Sequence, residues 1–100
     1  MKIDTIIKEL KEYDPERVIL FGSQARGDAK KYSDFDLLII KKTKTKPQYR
    51  FSEIAEYLPL GAIDAIVYTP EEFAKAKKEG WLLMEEIERN GKEVYAKKTV

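Results

Sequence analysis

The sequence predicts a small α/β domain of the α+β type, a mixed β-sheet flanked by helices. Stretches with apolar residues at helical spacing alternate along the chain with short, continuous branched-aliphatic runs of strand length. The strand-like runs are separated by helical stretches rather than by hairpin turns, so the sheet needs helices on its faces. The chain has 100 residues, enough for one hydrophobic core and too few for two, and residues 1–100 read as a single domain.

Each element has its own signal. Ile3, Ile6, Ile7 and Leu10 fall on one face of an amphipathic helix spanning residues 2–13, which Asp14-Pro15 ends. Arg17 to Phe21 holds Val-Ile-Leu-Phe, a first strand. Gly22-Ser23 breaks it, and Gln24 to Arg26 forms one helical turn ahead of Gly27. Asp34 to Ile40 is a second strand with four branched aliphatics in a row. After a polar connection, Gln48 to Tyr57 reads as a helix with Phe51, Ile54, Ala55 and Leu58 on its apolar face. Pro59 and Gly61 bracket a turn before a third strand, Ala62 to Tyr68. Thr69-Pro70-Glu71-Glu72 is a helix start: Thr69 caps, Pro70 suits the first helical position and Glu72 completes a capping box. Gly80 interrupts that helix. A further helix from Trp81 to Arg89 stops at Asn90-Gly91 in a left-handed turn, and Lys92 to Ala96 makes a short last strand.

Composition removes several chemistries. With 19 basic and 18 acidic residues the net charge is +1, which lacks the basic excess that duplex DNA binding requires. There is no Cys, hence no disulfide, zinc-thiolate site or thiol nucleophile, and no His, hence no Ser-His triad or imidazole ligand. A metal must be held by oxygen, which selects Mg²⁺, Mn²⁺ or Ca²⁺. No apolar run approaches a membrane span and no signal-peptide pattern opens the chain, so a cytoplasmic protein is expected. Lys41, Lys42, Lys44 and Lys46 read as a solvated basic connection, and Trp81 to Met84 as four bulky residues that cannot all face one side of a helix.

The chemistry concentrates in two short stretches, Phe21 to Gly27 and Ser33 to Ile40. Asp34 and Asp36 stand two apart on the second strand, so both carboxylates point to one face. Like charges on a half-buried face repel and lose hydration, and a divalent cation offsets both costs. From the carboxylates alone, a solvated pair at a strand entrance is equally open. Gly22 lets the backbone approach a ligand closely. Ser23 opens a helical turn whose N–H groups suit phosphate, and Arg26 can add a charge-assisted bond. This cradle is not a Walker loop, because Asp28-Ala29 stands where Lys-Ser/Thr is required, and Gly-x-Gly-x-x-Gly is absent.

Gly22-Ser23-x-Ala25-Arg26-Gly27 followed by Ser33-Asp34-x-Asp36-Leu37 resembles the nucleotidyltransferase domain of the DNA polymerase β superfamily, and within it the minimal nucleotidyltransferases, the MntA-type antitoxins. The motif covers residues 21–40, and element order and length fit the whole chain. The resemblance implies that Asp34 and Asp36 bind two Mg²⁺ ions (or Mn²⁺), and that Gly22, Ser23, Arg26 and Ser33 contact a nucleoside triphosphate, ATP by the same resemblance. It further implies a third carboxylate on a neighbouring strand that binds metal and helps activate the attacking hydroxyl. Asp64 is the candidate, the one acid inside the third apolar strand. The expected partner is a HEPN-domain toxin, whose tyrosine would receive AMP. Two alternatives stand beside this reading: an antitoxin that neutralises its partner by binding alone, and transfer to a small molecule or an RNA end. Oligomeric state is left open.

Overall fold

The computed structural model describes residues 2–30, 34–59 and 61–98. Four strands form one mixed sheet in the order β3-β2-β1-β4. They are β1 (Arg17–Phe21), β2 (Phe35–Ile40), β3 (Ile63–Tyr68) and β4 (Lys92–Ala96). The helices are α1 (Ile3–Leu10), α2 (Ser23–Arg26), α3 (Pro47–Ile54), α4 (Pro70–Glu79) and α5 (Leu82–Asn90), with 3₁₀ turns extending α1 through Tyr13 and α3 through Tyr57. β1 pairs antiparallel with β2 and β4, whereas β2 and β3 are parallel. The element order is the expected one, and none of the described helices is long and apolar enough to cross a membrane.

Alternation along the strands splits the core into two layers. Leu37 and Ile39 of β2 join Val18, Leu20, Ala65 and Val67 under Ile6 and Leu10 of α1 and Ile54 of α3. Leu38 and Ile40 face the other way with Ile19, against Phe73 and Ala76 of α4 and Met84 of α5. Leu37, Leu38, Ile39 and Ile40 are at most 3% exposed, which explains the unbroken aliphatic run: β2 is covered on both faces. Each such side chain contributes about 1.5–3 kcal/mol by leaving water.

Several boundaries differ from expectation for identifiable reasons. Asp34 precedes β2 instead of lying in it. The buried face of α3 is Arg50 with Ile54, while Phe51 is 52% exposed. The Arg50 guanidinium donates to the carbonyls of Thr45 and Val67 and to Glu72, so a charged residue fills a position that periodicity assigns to an apolar one. Gly91 is extended (φ −65°, ψ 144°), not left-handed. It is required instead by crowding, since a Cβ there would lie 2.5 Å from the Ile87 carbonyl oxygen. The start of α4 is as expected. Thr69 accepts from the Glu72 N–H, and Glu72 accepts from the Thr69 N–H. Of the four bulky residues from Trp81 to Met84, Met84 is buried and Leu82 is 82% exposed.

Candidate active site

The sheet register assembles the acidic side chains. Asp36 lies opposite Phe21 on the antiparallel side and opposite Asp64 on the parallel side. Register partners share a face, and the alternation that sends Leu38, Ile40 and Ile66 toward α4 and α5 puts Asp36 and Asp64 on that same face. Both stand at the end of the sheet where β1 finishes and β2 and β3 begin. Asp36 is half-buried, whereas Asp34 and Asp64 are exposed. Burial, then the Asp64 and Asp34 carboxylates, push the Asp36 carboxyl above the ordinary carboxylate range. Among the described residues no three acidic side chains are gathered into the geometry of a metal centre: the in-register pair is Asp36 and Asp64, with Asp34 just ahead of β2. The donor set is nonetheless all oxygen, and the mutual repulsion at Asp36 is what a hard cation relieves.

Gly22 joins the two halves of the motif. It follows β1 with φ 72° and ψ −160°, a conformation that is open almost only to glycine. A Cβ there would fall 2.1 Å from Asp36 Oδ2. The missing side chain is therefore what lets the Asp36 carboxylate rest against the backbone of the first loop. Ser23 opens α2, whose single turn is closed by N–H groups of Ala25 and Arg26 on the Gly22 carbonyl and of Gly27 on that of Ser23. Arg26 is exposed, and its guanidinium bonds Asp28 and Glu86, which hold its charge more firmly. Ser33 lies outside the described residues.

The structure also brings in residues that sequence reasoning missed. Glu86 Oε1 accepts from the Gly22 N–H at 3.3 Å and from Arg26 Nη1 at 2.8 Å. Glu86 Oε2 accepts from Asn90 Nδ2, one turn along α5, at 3.2 Å. The Asn90 amide and the Arg26 guanidinium hold the Glu86 carboxyl below its usual range, with burial pulling the other way. Spacing on α5 relates Glu86 to Asn90, but only the packing of α5 on the sheet relates it to Gly22, 64 positions away. A cavity of about 470 Å³ around Arg17, Ile40, Phe73 and Lys77 lies at the opposite end of the sheet and touches none of these groups. Asp36 and Asp64 stand in register at the end of the sheet away from that cavity, so the candidate site is picked out by this pairing and not by an enclosed volume.

A family model, described as the nucleotidyltransferase domain, matches residues 3–98. No curated protein matches the chain. Among solved structures, a Sulfolobus solfataricus protein assigned provisionally as a nucleotidyltransferase superposes with a TM-score of 0.68 at 22% identity, covering 95% of this chain and 78% of that one. A toxin–antitoxin structure with AMP-PNP gives a TM-score of 0.61 at 18% identity, covering 98% and 76%. A substituted form of the toxin–antitoxin MntA-HpeT gives 0.63 at 20% identity, covering 98% and 75%. At these identities the likeness is one of fold.

Proposed function

This chain belongs to the nucleotidyltransferase domain family, and from that premise we propose that it transfers AMP from ATP to a hydroxyl of a partner toxin, acting as an antitoxin of the minimal nucleotidyltransferase kind. The observation that carries the reading is the pairing of Asp36 with Asp64 on one face, against a glycine whose absent Cβ leaves room for the Asp36 carboxylate. The fold shared with a toxin–antitoxin structure holding AMP-PNP supports the nucleotide and the kind of partner. On this reading the partner is a HEPN-domain toxin and the acceptor a tyrosine.

The residues divide the work. Asp36, with Asp34 and Asp64 exposed beside it, would hold Mg²⁺. When bound, such a cation neutralises the polyphosphate and eases departure of the pyrophosphate oxygen. Gly22 and Ser23 position the triphosphate by close backbone approach, and Arg26 offers a charged donor at its edge. The acceptor hydroxyl forms a bond to the α-phosphorus, the bond from that phosphorus to the bridging oxygen breaks, and pyrophosphate leaves. Asp64, a carboxylate at the solvent rim in a chain with no His, takes the hydroxyl proton.

The test is incubation with ATP labelled at the α-phosphate, Mg²⁺ and the product of the neighbouring gene as the candidate toxin. Label should pass to the toxin and vanish with Asp36→Asn. Equal transfer by Asp36→Asn would remove the catalytic assignment. Neutralisation of the toxin by Asp36→Asn without any transfer would establish an antitoxin that works by binding.

A further inference from the structure

The donors best placed to receive an anion beside Asp36 already receive one. The Gly22 N–H comes from the end of β1 and the Arg26 guanidinium from α2, yet both point at a single oxygen, Glu86 Oε1, delivered by α5. The second oxygen is tethered by Asn90. Glu86 is thus held at both oxygens by three groups from three places in the chain. It is also close enough to Asp36 to add to the negative field there. A phosphoryl oxygen and a carboxylate oxygen compete for the same donors, and with the same sign of charge they cannot share them.

We propose that Glu86 is an internal occupant of the nucleotide site, a carboxylate latch that fills the Gly22–Arg26 cradle and must swing aside before a triphosphate can enter. The inference rests on the nucleotidyltransferase reading and adds to it a residue that controls occupancy. An occupied cradle resists weakly bound anions, because any ligand must first replace the bonds that Glu86 makes. A metal-bound triphosphate has several oxygens and a cation to offset that cost, whereas inorganic phosphate has neither. Displacement also unties α5 from α2, so nucleotide binding is felt at Asn90, at the far end of α5.

The experiment is calorimetric titration with AMP-PNP and Mg²⁺ of the wild type and of Glu86→Ala, Glu86→Gln, Asn90→Ala and Asp36→Asn. Glu86→Ala should bind about fivefold more tightly, the full worth of an exposed ion pair. Glu86→Gln keeps a hydrogen-bonding oxygen without the charge and preserves the contacts of α5, so its affinity should lie between. Asn90→Ala should tighten binding about twofold by loosening the tether. The Gly22 amide resonance should move on deleting the Glu86 carboxylate and again on adding nucleotide. Equal or weaker binding by both Glu86 variants, with wild-type binding that Asp36→Asn abolishes, overturns the latch and leaves the nucleotide site standing. Absence of binding in every protein overturns the nucleotide reading and the latch with it.

Discussion

Replacing Gly22 by alanine tests the junction on which the site depends, and Gly27 supplies its control. Both glycines have positive φ, 72° and 85°. Around Gly27 a new Cβ would meet nothing within 4 Å, so Gly27→Ala carries only the backbone cost of about 1 kcal/mol. Gly22 has ψ −160°, a region where a side chain costs about 1–3 kcal/mol, and its Cβ would fall 2.1 Å from Asp36 Oδ2. Ordinary contact needs more than an ångström of retreat, by a carboxylate packed between Asp64 and the first loop. Together these come to about 3 kcal/mol for Gly22→Ala. A domain of this size loses about 4–8 °C of melting temperature per kcal/mol, so the drop is roughly 12–24 °C against about 4–8 °C for Gly27→Ala. Thermal unfolding by circular dichroism measures both, and titration with AMP-PNP and Mg²⁺ below the lower melting point shows whether the displaced carboxylate still serves. Gly22→Ala should lose nucleotide affinity while Gly27→Ala keeps it. If the two melt alike, or if Gly22→Ala binds as the wild type does, the close approach of Gly22 to Asp36 is not what builds the site.

In EDTA, Asp36→Asn should melt a few degrees above the wild type near neutral pH, because it removes a half-buried charge facing Asp34 and Asp64, and with Mg²⁺ supplied it should still show no transfer; a lower melting point would contradict the repulsion assigned there. Arg50→Met keeps the buried stem but strands the Val67 carbonyl and Glu72, and should cost about 2–4 kcal/mol in urea unfolding. Burial works to raise the Glu72 carboxyl, but its bonds to Arg50 and Thr69 prevail and hold it below the ordinary range. Its stabilising contribution is therefore complete above the unfolded-state value and disappears as pH falls through the folded one. A urea series below pH 5 should show Glu72→Gln with a flatter acid limb than the wild type. Thr69→Ala removes one half of the capping box and should cost about 1 kcal/mol by the same measurement.

What could be read from the sequence and what could not divide along a physical line. Local patterns sufficed where local chemistry decides: the aliphatic run Leu37–Ile40, the Thr69–Glu72 cap and the break at Gly22. They failed where a distant partner decides. Periodicity puts Phe51 inside, but the Thr45 and Val67 carbonyls and Glu72 draw Arg50 in, and Phe51 stays at the surface. Asn90-Gly91 has the composition of a left-handed stop, yet close packing against Ile87 and Ile19 requires the glycine and the backbone stays extended. Asp34 and Asp36 stood out as neighbours in sequence, but Asp34 lies ahead of β2 and the in-register partner of Asp36 is Asp64, which the sequence offered only once the resemblance asked for a third carboxylate. Glu86 did not stand out, since α5 carries other glutamates and nothing in their spacing singles out the one that reaches Gly22.

The juxtaposition of Asp36 and Asp64 follows from one topological choice. A parallel pair needs a crossover, and α3 supplies it, with Ile54 buried on the layer shared with Leu37 and Ile39. That puts the crossover on the face opposite Asp36. It also starts β2 and β3 from the same end, so an acid near the head of each strand lies beside the other. Had β3 run antiparallel over the same span, its first residues would lie beside Ile40, four positions from Asp36 and about 13 Å along the strand. The same parallel start leaves the acidic end uncovered by α3 and within reach of α5, which approaches from the other face with Met84 buried on the sheet and Glu86 at Gly22. The crossover helix α3 and the helix α5 that carries Glu86 therefore lie on opposite faces of the sheet, and on the proposed reading a triphosphate arriving from solvent would meet Asp34 and Asp64 first, with Glu86 in its way.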